Sequence, residues 1–161
     1  MESYPRKYLC ISLSQLIISF ALGIMVASLF KFYFGIISGI LGIASFLISM
    51  RFRCTTCFYY GKQCFNGFGL VVAKLFKQQP SDEFQNSKNV IITLVISMIN
   101  TFFPIIIGII DLILSFSGFK LAILLLYLVA SFVPNFFIQP KMCVNCKQGE
   151  LGCPAYKNIE K

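Results

Sequence analysis

The chain has no histidine, which removes imidazole as a catalytic base or haem ligand and excludes a Ser-His-Asp triad. Acidic residues are nearly as scarce: six in 161, namely Glu2, Asp82, Glu83, Asp111, Glu150 and Glu160. All but Asp111 lie outside the long apolar runs, so a pair of carboxylates inside a membrane, the usual proton or cation relay, is not available. Charged residues make up only 12% of the chain, about half of what a soluble domain carries.

What replaces charge is hydrophobic sequence, 57% of residues, gathered into four blocks at about Leu9–Phe30, Phe34–Met50, Val90–Leu114 and Leu121–Ile138. A helix needs roughly 20 apolar residues to cross a bilayer core of about 30 Å. Lipid offers the backbone no hydrogen-bond partners, so each block is expected to be helical. The expected fold is an all-α membrane protein with four transmembrane helices. A tight turn at Lys31 separates the first two, and another at Ser117, Gly118 and Lys120 separates the last two.

Basic residues give an orientation. Arg6 and Lys7 precede the first block. Arg51, Arg53, Lys62, Lys74, Lys77 and Lys88 lie between the second and third, and Lys141, Lys147, Lys157 and Lys161 follow the fourth. Only Lys31 and Lys120 fall on the other side. The positive-inside rule then places the N-terminus, the central loop and the C-terminus in the cytoplasm, and the chain as a multi-pass protein of the cytoplasmic (inner) membrane. The net charge of +8 is accordingly a topology signal and not a nucleic-acid surface. Lys31, Lys120, Lys74 and Lys77 are the lysines expected at the membrane interface.

Seven cysteines carry the distinctive chemistry. Sliding the sequence by 89 residues superimposes Cys54, Cys57 and Cys64 on Cys143, Cys146 and Cys153, and Lys31 on Lys120. The sequence thus reads as two tandem duplicated helical hairpins, each followed by a cytoplasmic C-x2-C-x6-C motif. Residues 1–77 form the first hairpin with its motif, 78–89 a linker, and 90–161 the second hairpin with its motif. A pseudo-two-fold axis along the membrane normal would bring the two motifs to one face.

The cytoplasm is reducing, which disfavours structural disulfides. A C-x2-C pair instead suits two thiolates gripping one metal, and the neighbouring Arg and Lys residues favour thiolates. Three cysteines do not complete a tetrahedral zinc site, but six with bridging thiolates hold two zinc ions. In this the repeated motif resembles the fungal binuclear zinc-cluster domains, in which six cysteines in two such halves bind two zincs. The resemblance covers Cys54, Cys57, Cys64, Cys143, Cys146 and Cys153 alone. Here two membrane helices separate the halves, so it implies a metal geometry and not DNA binding.

Zinc is the first reading, and an iron–sulfur cluster, suggested by Cys153-Pro154, is the second. Thiol–disulfide exchange is the third, although oxidation of secreted proteins would need these cysteines on the outer face. Cys10 has no counterpart and reads as a packing residue. No catalytic residue is assigned. The expected role is a scaffold or subunit, as a homodimer or within a larger membrane complex. The alternatives are an iron–sulfur electron carrier and a small metal or solute transporter.

Four further features have defined expectations. Residues 66–77 read as a short amphipathic helix, lying on the leaflet or capping the bundle. Asn100, Pro104, Pro134 and Asn135 read first as interhelical packing groups and second as the lining of a substrate path. Asp111 is expected to pair with Lys120. Gly35, Gly39 and Gly42 form a small-residue face for a neighbouring helix in this chain or another copy.

Overall fold

A computed structural model of the chain describes residues 4, 6–80, 84, 86–137, 140–141 and 146–150. The four apolar blocks are four long helices: α1 (Arg6–Phe30), α2 (Phe32–Ser49), α4 (Ser87–Leu114) and α5 (Gly118–Phe137). All four are long and apolar enough to cross a membrane. A short helix, α3 (Phe68–Leu75), lies between the two hairpins, and one helical turn, α6, covers Lys147–Glu150. Lys31 alone separates α1 from α2, and the Phe34 N–H closes that turn onto its carbonyl at 3.0 Å. At the start of α4 the Asn86 side chain accepts the Lys88 N–H at 3.1 Å, supplying one of the bonds a helix start lacks.

The outer faces are apolar. Ile113 and Phe32 are each 78% exposed, and exposed isoleucines, leucines and phenylalanines recur along all four long helices. In water an apolar surface of that extent would drive association, whereas in a bilayer it is the surface that lipid wets. The fold is that of a multi-pass membrane protein.

Helix α1 is central, packing on α2, α4 and α5, while α4 also touches α2 and α5. The glycines of α2 make its contact with α1 close. A Cβ on Gly35 would lie 2.8 Å from the Ser28 Cβ, and one on Gly42 would lie 2.2 Å from the Phe20 ring. The small-residue face of α2 therefore seats a helix of its own chain. Eighty-nine residues on, α5 has Leu124, Leu128 and Ser131 at the corresponding places, and α4 and α5 approach each other less extensively.

Towards the end that carries Lys31 and Lys120, the interior is filled by Val26, Ile123, Leu124 and Tyr127, with Leu22, Ile105 and Leu128 against them. Asp111 is buried at that end and pairs with Lys120 at 2.8 Å, as the sequence led us to expect.

Two prolines lie within helices, Pro104 in α4 and Pro134 in α5. Pro134 cannot donate to the Ala130 carbonyl one turn back, and the Ser19 hydroxyl of α1 takes over that acceptor at 3.0 Å. Near Pro104, the Tyr127 hydroxyl donates to the Thr101 carbonyl at 3.0 Å. Proline is thus accommodated because neighbouring helices satisfy the carbonyls around it. Ser19→Ala should cost about 1 kcal/mol, the worth of an interhelical hydrogen bond. Unfolding in mixed detergent–SDS micelles measures this, and a stability equal to that of the parent would show the bond to be dispensable.

Candidate metal centre

The first cysteine motif begins where α2 loosens into a π-turn, Met50–Cys54. The Thr55 N–H reaches back to the Met50 carbonyl at 3.3 Å. The buried Thr55 and Thr56 hydroxyls donate to the Arg51 and Arg53 carbonyls at 2.7 and 3.2 Å. These bonds satisfy carbonyls left free at the helix end and so fix the direction in which Cys54 and Cys57 leave it.

Tight turns follow. The Tyr60 N–H donates to the Cys57 carbonyl and the Lys62 N–H to the Tyr59 carbonyl, each at 3.0 Å. Gly61 turns the chain with a positive φ of 71°. The chain then folds back so that the Gly61 N–H meets the Gly69 carbonyl at 2.9 Å. Helix α3 caps this end of the bundle. Gly69 and Val72 are buried, and Phe68 packs edge-on against Phe46 of α2 at 4.6 Å. Leu70, Val71, Lys74 and Leu75 face outward. The cap is tied further by the Tyr60 hydroxyl on the Phe76 carbonyl at 2.7 Å, and by the Gln79 N–H on the Thr55 carbonyl at 3.1 Å.

This loop brings the first three cysteines near one another. Burial pushes the Cys54 thiol up to about 12, the nearby Cys64 and Cys57 add to the rise, and the Arg53 guanidinium works against it. The adjacent cations therefore do not by themselves make this sulfur the thiolate that the sequence led us to expect. The Cys64 sulfur accepts the Gly69 N–H at 3.4 Å. Several cations of this loop rest on rings. Arg53 also lies over Phe84 at 4.6 Å, Arg51 over Phe76 at 5.9 Å, and Lys62 and Lys147 both lie over Phe58, at 4.4 and 5.4 Å.

Part of the second motif docks on the first. The Phe58 N–H donates to Gln148 Oε1 at 2.6 Å, and the Lys147 N–H donates to the Tyr59 hydroxyl at 3.2 Å. Cys146 lies beside that same Tyr59. Burial pushes the Tyr59 phenol above its ordinary range, the Lys147 N–H works against this, and Cys146 adds to the rise. Nothing in the C-x2-C-x6-C spacing pointed to Tyr59 or Gln148. The aromatic pair Tyr59-Tyr60 inside the motif was the available signal.

Four of the six proposed ligands, Cys54, Cys57, Cys64 and Cys146, lie among the described residues, and each is of intermediate burial. Cys143 and Cys153 lie outside them. Among the described residues no three cysteine or acidic side chains are already arranged to hold a metal ion. Cys10 is exposed on α1. Of the interfacial lysines, Lys74 and Lys77 are exposed at the cap end. Lys31 is exposed at the opposite end, where Lys120 is held by Asp111. No family model matches the chain, and neither the curated proteins nor the solved structures contain a match to it.

Proposed function

We propose that this is a scaffold or subunit of a membrane complex in which the two cysteine motifs jointly bind metal, zinc first, and fasten two duplicated hairpins at their cytoplasmic ends. One observation carries the reading: residues 146–148 of the second motif are held by residues 58–59 of the first. Chain segments almost 90 residues apart, each with its own C-x2-C pair, thereby come to the same face. The helix contacts support the duplication. A two-fold axis between α1 and α4 exchanges the α1–α5 contact with the α2–α4 contact, and both are present. The concentration of Arg and Lys at the cap end supports a cytoplasmic location for that end, in the inner membrane.

When bound, zinc supplies no redox chemistry and needs four ligands per ion. Cys54, Cys57, Cys64, Cys143, Cys146 and Cys153 would hold it. The Gly69 N–H would steady the Cys64 thiolate, and Arg53 would offset the charge of the cluster.

Elemental analysis with an absorption spectrum on anaerobically purified, tag-free protein in detergent tests the proposal. About two zinc ions per chain and no visible colour are expected, with zinc reduced to a similar degree by Cys57→Ser and by Cys146→Ser. Loss in only one of the variants would mean the motifs do not share a site. Iron with sulfide would turn the reading into membrane electron transfer, and metal-free protein would end it.

A further inference from the structure

The four long helices line a partly open cavity of about 560 Å³ at the cap half of the bundle, within the size range of small-molecule sites. Its wall is apolar for the larger part but carries more polar groups than contact with lipid explains. From α1 it takes Ser12, Gln15 and Ser19, and from α2 Ser38, Ser45 and Ser49. Helix α4 contributes Ser97, Asn100 and Thr101, and α5 contributes Tyr127, Ser131 and Asn135. Within each helix these residues recur at intervals of three, four, seven or eight, with Asn100 and Thr101 side by side in α4, so each set keeps to one face, and all four faces meet at the same space. Isoleucine, leucine and phenylalanine occupy the opposite faces.

A helix stabilised only by lipid and its neighbours gains nothing from an inward hydroxyl, because a polar group kept from water costs free energy unless it is hydrogen-bonded. Some of these groups do serve the fold, as Ser19 does on the Ala130 carbonyl. Others do not. The buried Ser131 hydroxyl makes no hydrogen bond of ordinary geometry, although the Tyr127 phenol lies near it.

The cavity has one blind end. Gly23, Pro104 and Tyr127 line its deepest part, and the Val26, Ile123 and Leu124 cluster closes the bundle beyond them. At the cap end Phe65, Asn66 and Phe68 stand over it. Among the described residues no charged side chain lines it, so an ion would find no compensating charge on these walls. The Phe20, Phe46 and Phe68 rings add apolar faces beside the hydroxyls and amides.

We propose that this cavity binds an uncharged, multiply hydroxylated small molecule of polyol or monosaccharide size. Its hydroxyls would be met by the serine and amide stripes and its C–H faces by the phenylalanine rings. The site is independent of the cysteines and stands whether or not they hold metal.

The chain has no tryptophan, so Phe46→Trp introduces a single indole into the wall, and Phe65→Trp places one at the mouth as a second reporter. The full-length protein in detergent is titrated with myo-inositol, mannitol and glucose, and with gluconate and glucosamine as charged counterparts. The expected result is a saturable change in indole emission with at least one neutral compound and none with the charged pair. Asn100→Leu, with unchanged thermal unfolding, should raise the half-saturation concentration about tenfold, the effect of one lost buried hydrogen bond. No saturable response to any neutral compound from either reporter, an equal response to the charged pair, or an unchanged midpoint in Asn100→Leu overturns the assignment.

Discussion

Replacing Gly69 with alanine is expected to lower stability by about 3 kcal/mol, within the range for forcing an atom into a filled site, and to loosen the cysteine cap. A Cβ at this position would lie 2.1 Å from the Tyr59 carbonyl oxygen and 2.3 Å from that of Lys62. Both obstacles are backbone, so no side-chain rotation relieves the clash. The Tyr59 carbonyl is further held by the Lys62 N–H at 3.0 Å. Helix α3 would have to withdraw, taking with it the Gly69 carbonyl that receives the Gly61 N–H and the Gly69 N–H that reaches Cys64. Thermal unfolding in detergent should show a drop of about 10 °C, and thiol labelling at Cys64 should accelerate. Ala73→Gly, on the exposed side of α3, serves as the control and should cost about 1 kcal/mol or less. If Gly69→Ala melts with the parent, the close approach of α3 to the cysteine loop is refuted.

The second large effect belongs to the opposite end of the bundle. The Asp111 carboxylate is 6% exposed and receives the Lys120 ammonium at 2.8 Å. Lys120 also reaches the Ser115 hydroxyl at 2.7 Å. Lys120→Met would leave a buried anion with, among the described residues, the Ser115 hydroxyl alone, at 3.3 Å. Breaking one side of a buried pair costs about 3–5 kcal/mol. Removing both charges with Asp111→Asn and Lys120→Met should recover most of that loss, because the penalty lies in the stranded charge and not in the missing attraction. A double-mutant cycle by SDS-induced unfolding is expected to give a coupling of at least about 2 kcal/mol. A coupling within about 0.5 kcal/mol of zero would place the pair with exposed ion pairs, which contribute little.

The helices could be read in the sequence because the feature that makes them is local. About 20 apolar residues with turn residues at each end both require a membrane and require a helix, whatever the neighbouring helices do. The Asp111–Lys120 pair was legible for the same reason: nine residues and one short turn separate them. The glycine face of α2 was visible as a face, but its occupant was not. Spacing alone cannot distinguish α1 of the same chain from a helix of another copy.

The interior was legible only in part: Asn100, Pro104, Pro134 and Asn135, read second as the lining of a path, all line the cavity. Serine is short and only mildly polar, so Ser38, Ser45 and Ser97 hardly interrupt an apolar run. The two asparagines and two prolines stood out as a group, while the serine stripes that complete the lining did not. Once the helices pack, four modest stripes turn inward together onto one cavity, and that outcome depends on how each helix is rotated about its axis.

The cysteine cap divides along the same line. The sequence by itself determined four membrane-length helices, two C-x2-C-x6-C motifs in one register, and a bias of positive charge, since each is a matter of residue type and distance along the chain. The tertiary structure alone decided that α3 covers the bundle end, that Tyr59 and Phe58 hold residues 147 and 148, and that a cavity with polar stripes lies inside. Those contacts join residues far apart in the chain, and their geometry is set by backbone direction, helix rotation and the fit of glycine against carbonyl, none of which a spacing encodes.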